Sequence, residues 1–383
     1  MVSRHERAYR FRCYPTAVQR AMLARTFGCV RVVYNYGLEL RAEAYNVRGE
    51  RLGYRDLSAA LTALKKREDY AWLSEVSSVP LQQCLRHLER AYRSFFAGSS
   101  RYPRRKRRHD RQAAEYTRSG FRFDGEHLYL AKMAQPLPIR WSRRLRGSPS
   151  TVTVTLDRAG RYFVSLLVEE EIHTLPVARK TVGIDLGLLH AVTLSTGEKV
   201  KADRFLRRDE RRLRHAQRSL ARKRKGSRNR EKARLHVARI HARIADRRRD
   251  FTHKLTTRLV RENQAICAES LRVKGMLRNR HLAKSIADAN WGELLRQLRY
   301  KSSWYGRTFV QIDTFYPSSK QCHACGHVLD DLPLSVRFWT CPKCRSSHDR
   351  DINSAQNILA AGLAAAACGG AVRPARTSAG TLR

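Results

Sequence analysis

Two textures of hydrophobic patterning divide the chain. Residues 7–13 place Tyr9, Phe11 and Cys13 on one face and Arg10 and Arg12 on the other, the period of two that predicts a strand. After Pro15 the apolar positions Leu23, Phe27, Val30, Tyr34 and Leu38 recur at three- and four-residue steps, which predicts a helix opened by proline. Helical patterns continue to about Ala97 and take in SSVPLQQCLRHLERAYRSFF. Alternation returns in FRFDGEHLYL and in TVTVTLDRAGRYFVSLLVEE, predicted hairpins that turn at Asp124-Gly125 and at Asp157 to Gly160. The early strand and these hairpins together predict one β module split by an inserted helical domain.

From Thr181 the texture changes. TVGIDLGLLHAVTLSTGEKV reads as a buried strand, a tight turn and a second strand. Strand signals recur at AICAE (Ala265 to Glu269) and TFVQID (Thr308 to Asp313), with a helix predicted from about Leu282 to Tyr300 between them and a last helix from about Asn353. Strands alternating with helices predict an α/β core. The final 20 residues, rich in Ala, Gly and Thr and without an acid, predict a disordered tail.

Composition narrows the partner. The 383 residues carry 77 Lys+Arg against 34 Asp+Glu, a formal net charge of +43. Such a surplus repels itself unless a polyanion neutralises it, which argues against a metabolic enzyme for small neutral substrates and for nucleic acid. A hydrophobic share of 42% excludes a disordered basic tail. The longest run without strongly polar residues, Ile358 to Val372, is 15 residues and too short to cross a bilayer. The opening MVSRHERAYRFRCYP lacks the apolar stretch of a secretory signal. The charge is concentrated. Arg101 to Arg111 is a basic run, and Arg204 to Asp250 holds 20 Lys+Arg and 5 Asp+Glu. The break at Lys225 to Asn229 predicts two helices there, an αα-hairpin with basic faces.

Nine cysteines, four of them in two CxxC pairs, point to a reducing compartment and a metal site. Cys322 and Cys325 are separated from Cys341 and Cys344 by 15 residues. Each pair puts two thiolates on one turn, and two turns complete a tetrahedral S₄ shell for Zn²⁺. A closed shell leaves no position for water, so this zinc is predicted to be structural. Acids are scarce, which makes an acid at the end of a buried strand stand out. Asp185 closes TVGID, Glu269 closes AICAE, and Asp351 lies in HDRDINSAQNIL ahead of the last helix. Three carboxylates on neighbouring sheet ends suit a two-metal Mg²⁺ site for phosphodiester hydrolysis, with one ion aligning water and one steadying the leaving oxygen. The plainer alternatives are a turn or cap role for a strand-end Asp, a helix cap at Asp351, and Asp349 in its place as ligand.

GIDLG, Glu269 in AESL, FYPSSKQCHACGH, WTCPKC and HDRDINSAQNIL, in that order, resemble the TnpB (OrfB) family of insertion-sequence proteins, related to type V CRISPR effector nucleases. RFRCYPT and ERAYRSFF resemble the family's opening segments, so the likeness covers roughly residues 7–372. It implies an α/β RNase H-like (RuvC) nuclease domain over 179–318 and 348–363, interrupted by a zinc ribbon at 319–347. A wedge-type β-barrel, 1–13 and 118–178, would precede it, with a helical recognition domain at 14–117 inserted and a tail at 364–383. The implied activity is RNA-guided, Mg²⁺-dependent cleavage of double-stranded DNA beside a short motif, with a guide RNA from the transposon end. One protomer per guide, in the prokaryotic cytoplasm, is the implied assembly. Asp185, Glu269 and Asp351 become the catalytic triad, and Cys322, Cys325, Cys341 and Cys344 the zinc ligands. Arg104, Arg105, Lys106, Arg107 and Arg108 would hold phosphates, as would Arg222, Lys223, Arg224 and Lys225 in the basic hairpin, which would lie against guide RNA or heteroduplex. Gln82 and Gln83 are candidates for reading base edges, because a side-chain amide pairs bidentately with adenine. Two other classes fit parts of the pattern: an RNA-guided regulator without cleavage, which would need a broken triad, and a guide-free zinc-ribbon nucleic-acid-binding protein, which would need no strand-end acids.

Overall fold

A computed structural model describes residues 2–367. The described residues form two compact units, one from Arg4 to Glu171 and the other over residues 172–367. The first unit opens with β1 (Val2–Cys13), followed by α1 (Ala17–Arg48), α2 (Tyr54–Lys66) and α3 (Ser78–Phe96). Thr16 caps α1 in a reciprocal capping box with Gln19, and Gly49 ends it in the left-handed conformation. Then come β2 (Gln112–Thr117), β3 (Phe121–Phe123), β4 (Leu128–Leu130), β5 (Ile139–Arg140), β6 (Pro149–Leu156) and β7 (Tyr162–His173).

The sheet order is β2-β6-β7-β1-β5, so the first strand sits between segments that lie more than a hundred residues away in sequence. This is the split β module that the alternation predicts, and both hairpin turns fall where expected, at Gly125 and at Asp157. Its core is Tyr9, Phe11, Tyr116, Leu128, Val152, Val154, Val164 and Leu166, with Leu23 and Phe27 of α1 packed on it. A separate helical core joins Val33, Leu57, Leu61, Leu81, Leu85 and Leu88. The helical insertion is shorter than expected. Gln112–Thr117 pairs with β6 in register and belongs to the sheet, so the insertion ends before Gln112 and not at 117. Basic residues just ahead of β2 hide its start, because Ala113 and Ala114 carry little strand signal.

The second unit begins with β8 (Thr181–Asp185), β9 (His190–Leu194) and β10 (Lys199–Lys201), then α4 (Phe205–Ala221) and α5 (Arg228–Glu262). After β11 (Ala265–Glu269) come α6 (Val273–Met276), α7 (Ala283–Ala289), α8 (Trp291–Tyr305) and β12 (Thr308–Ile312). A small hairpin of β13 (Phe338–Thr340) and β14 (Ser347–Asp349) leads into α9 (Arg350–Ala367). The five-stranded order is β10-β9-β8-β11-β12, antiparallel through β9 and parallel from β8 to β12. That is the RNase H-like arrangement. Leu255, Leu259, Trp291, Leu294 and Leu298 of α5 and α8 cover one face, while Ile358 of α9 covers the other against Cys267, Val310 and Ile312.

Three boundaries differ from expectation. The predicted 282–300 helix is two, α7 and α8, parted at Asn290, whose φ of 59° is left-handed. The ribbon's second strand runs to Asp349, two residues past the expected end at 347. The last helix starts at Arg350 and includes residues 364–367, so only the rest of the expected tail lies outside the described residues. No helix among the described residues is long and apolar enough to cross a membrane.

Gly183 sets how closely α9 approaches the sheet. A Cβ there would overlap the carbonyl oxygen of Ala355 and meet Leu359 Cβ at 2.8 Å. Backbone cannot yield as a flexible side chain can, so Gly183→Ala should destabilise the protein by about 3 kcal/mol, the upper part of the usual overpacking range. Gly28→Ala, inside α1 with nothing within 4 Å of the added carbon, should be neutral or stabilising. Urea unfolding of the two variants checks both.

Candidate nuclease and zinc sites

The strand register brings two acids together. Ile184 of β8 pairs with Ala268 of β11, so Asp185 and Glu269 emerge side by side at the carboxyl end of the sheet. Leu186 donates its backbone N–H to Glu269 Oε1 at 3.3 Å. α9 rests on β8 and supplies Asp351 in its first turn and Ser354 one turn on, and the Ser354 hydroxyl donates to Asp185 Oδ1 at 2.8 Å. Ser354 also bonds Ser318 Oγ at 3.0 Å, and Asn357 donates to Ser318 O, which fixes the loop after β12 to the same helix.

Burial pushes the Asp185 carboxyl up to about 6, against the Ser354 hydroxyl and with added repulsion from Asp351. Burial, then repulsion from Asp185, pushes Glu269 up to about 8. Two neighbouring desolvated acids, each also raised by a nearby carboxylate, favour a divalent cation, whose charge keeps both ionised. The carboxylates therefore fit magnesium in donor chemistry. They do not form a converged cage: among the described residues, the group of donor atoms closed to within 4.8 Å of one another is the four cysteines.

Asp349 and Asp351 take different places. Asp349 accepts the N–H groups of Asp351 and Ile352 at 3.1 Å each, the cap of α9, and its other oxygen lies 2.6 Å from Lys199 Nζ. Asp351 is left to face Asp185, with Arg337 Nη1 3.3 Å from its Oδ1. Neither Arg337 nor Ser354 is singled out by the sequence reading. Arg337 had a signal, as the one cation in the loop VLDDLPLSVRFW, where acids and apolar residues otherwise prevail.

In the ribbon, Cys322 and Cys344 Sγ lie 3.6 Å apart and Cys325 and Cys341 Sγ 3.7 Å apart. A tetrahedral Zn–S bond of about 2.3 Å gives S–S edges of about 3.8 Å, so the four thiols fit zinc. Gly326 adopts the left-handed φ of 76° that the first knuckle requires. His348 Nε2 sits 3.1 Å from Cys322 Sγ, its ring tilted 44° against Trp339 with centroids 4.7 Å apart, an outer partner that the sequence reading does not include. Asn353 ties the ribbon to α9 through Gln321 O and His323 N–H.

The expected nucleic-acid contacts divide. Arg222, Lys223, Arg224 and Lys225 are exposed at the turn between α4 and α5. Arg104, Arg107 and Arg108 are exposed, and Arg105 pairs with Glu39 at 2.6 Å. Lys106 departs from expectation: its Nζ lies 4.1 Å over the Tyr34 ring, and its backbone exchanges hydrogen bonds with Asn35. Burial lowers its pKa, so it anchors the basic run. Gln82 is exposed on α3 and Gln83 partly buried.

Comparison with known proteins bears on this geometry. A Streptomyces pristinaespiralis protein named "Putative RNA-guided DNA endonuclease" is 56% identical over 386 residues, covering all of this chain and 96% of that protein. The chain belongs to the TnpB (OrfB) family. An Escherichia coli K12 protein of the same description, InsQ, is 32% identical over 96% of this chain and 95% of its own length. The OrfB_IS605 family model, described as a probable transposase, matches residues 164–280, and the Cas12f1-like TNB domain matches 291–358. A helix-turn-helix model of the same family matches residues 1–50, which here form β1 and α1. In fold, the chain resembles the protein of a Cas12f1–sgRNA–target DNA complex, with a TM-score of 0.56 at 11% identity, over 93% of this chain and 99% of that one.

This TnpB-family ribbon is too small to fold on apolar burial, its core being Cys322, Leu332, Trp339 and Cys341. One zinc per chain is therefore expected by atomic emission, and Cys341→Ser should abolish it. Chelation should expose Trp339 in the wild type, seen as a red-shifted fluorescence component that the zinc-free variant shows from the start.

Proposed function

We propose that the chain is an RNA-guided DNA endonuclease encoded by an insertion sequence. The observation that carries this is the pair Asp185 and Glu269 on adjacent strand ends of an RNase H-like sheet, with Asp351 of α9 acting on Asp185. Whole-length likeness to a relative named for this activity supports the same reading. In this reading the 4–171 unit is the wedge-type β-barrel with its inserted recognition helices, and the basic hairpin of α4 and α5 lies along guide RNA or heteroduplex. A transposon-end guide selects double-stranded target DNA beside a short motif, one protomer acts per guide, and the work is done in the bacterial cytoplasm.

Asp185, Glu269 and Asp351 would hold magnesium, which supplies Lewis-acid polarisation of the scissile phosphate and acidifies the attacking water. The chain's own groups prepare that site. Ser354 fixes the rotamer of Asp185, the Leu186 N–H orients Glu269, and Asp349 with Lys199 holds the first turn of α9 so that Asp351 points inward. Arg337 neutralises part of the three-acid charge at Asp351 and is a positioning residue toward the phosphate. Cys322, Cys325, Cys341 and Cys344 would hold structural zinc.

Protein purified from cells that carry the transposon end should contain a discrete RNA. Sequencing that RNA and offering the complex a target library with randomised flanks reads out cleavage and the adjacent motif. Asp185→Ala should lose cutting and keep the RNA; undiminished cutting by that variant would remove the proposed active site. Arg337→Ala should cut more slowly by on the order of 10- to 100-fold with RNA content unchanged, the usual effect of removing an outer partner of a metal ligand.

A further inference from the structure

The loops beyond the acid-bearing strands hold a pair of side chains that the chemistry above does not use. Glu269 of β11 is in register with Ile312 of β12. Three residues past each of these positions stand Arg272 and Phe315, and the Arg272 guanidinium lies over the Phe315 ring at 5.0 Å. Both loops therefore leave the sheet at the same carboxyl end as Asp185 and Glu269.

Phe315 is 76% exposed. Leaving a phenyl ring in water forgoes the burial that drives folding, so the exposure calls for a cause. Its loop is firmly built. The Phe315 N–H donates to Asp313 Oδ1 at 2.7 Å, and Tyr316 packs beside Ile358 of α9. Three residues on, Ser318 is held by Ser354, the residue that orients Asp185, and by Asn357. The ring is thus presented on a short, pinned loop that shares its anchor with the candidate active site. Arg272 lies over the ring, which nonetheless keeps most of its surface exposed.

We propose that Phe315 and Arg272 form a stacking subsite for an unpaired base of the strand being cut. A nucleobase offers a π-face to the exposed ring, while the cation over the ring attracts the adjacent phosphate. Stacking tolerates any base, which suits a cutter whose sequence choice is made elsewhere. The subsite rests on the nuclease reading and names the form of its substrate: a single strand splayed at the site, not an intact duplex.

The test uses the full chain with its co-purified RNA and an oligothymidine carrying 5-iododeoxyuridine, which cross-links on irradiation to a stacked aromatic ring. The expected adduct is on Phe315, absent in Phe315→Leu and retained in Asp185→Ala. In cleavage of single-stranded DNA, Phe315→Leu should raise KM by roughly five-fold or more, the loss of one base–aromatic stack, with kcat changed less. Phe315→Tyr should restore KM. An exposed ring can be replaced without loss of fold, so the melting temperature should not change. Adducts only at other residues, or an unchanged KM in Phe315→Leu, would overturn the subsite while the nuclease reading stands. Cleavage by Asp185→Ala would overturn that reading instead.

Discussion

The contact on which this molecule turns is the seat of α9 on β8, backbone against backbone at Gly183. Several groups that orient the candidate site depend on it. Asp351 and Ser354 project from that helix toward Asp185, Asn357 grips the loop after β12, and Asn353 grips the ribbon. Gly362 makes a second close approach, to Cys267 of β11. A helix held a methyl group further away would still bury Ile358, but its acid would stand off from the other two. Packing and chemistry meet in the same pair of glycines.

Around this seat the charge is arranged by sign. The protein is basic by +43, yet the sheet end gathers acids that burial and a neighbouring carboxylate push toward protonation. Carboxylates in that condition are costly in a folded protein and are a signature of sites that bind a cation. The arginine excess of the chain suits a polyanion but carries no carboxylate for holding a cation. The two groups differ in residue type and exposure: the cations at the turn between α4 and α5 are exposed, while Asp185 and Glu269 are largely buried.

Much of this was legible in the sequence, for physical reasons. The doubled CxxC spacing encodes a tetrahedron, and the thiols lie at its edge length. Acids are rare enough that Asp185 and Glu269 draw notice at strand ends, and the register sets them side by side. Spacing alone left Asp349 and Asp351 as alternatives and only the family resemblance pointed to Asp351; the Lys199 that pairs with Asp349, a residue 150 positions away, is not visible in the local sequence. β2 was missed because alanines carry little strand signal and pairing with β6 supplies what propensity lacks. Lys106 looked like its neighbours in a basic run; only the Tyr34 ring, brought near by tertiary packing, sets it apart.

Chain order has its own consequence. The three acids are made in sequence, the last of them only after the ribbon, and β14 passes into α9 without a spacer. A ribosome therefore completes the basic hairpin long before it completes the acid cluster. On the proposed assignment of the acids, a chain whose ribbon has not closed and whose α9 has not docked would carry the basic hairpin without the full acid cluster.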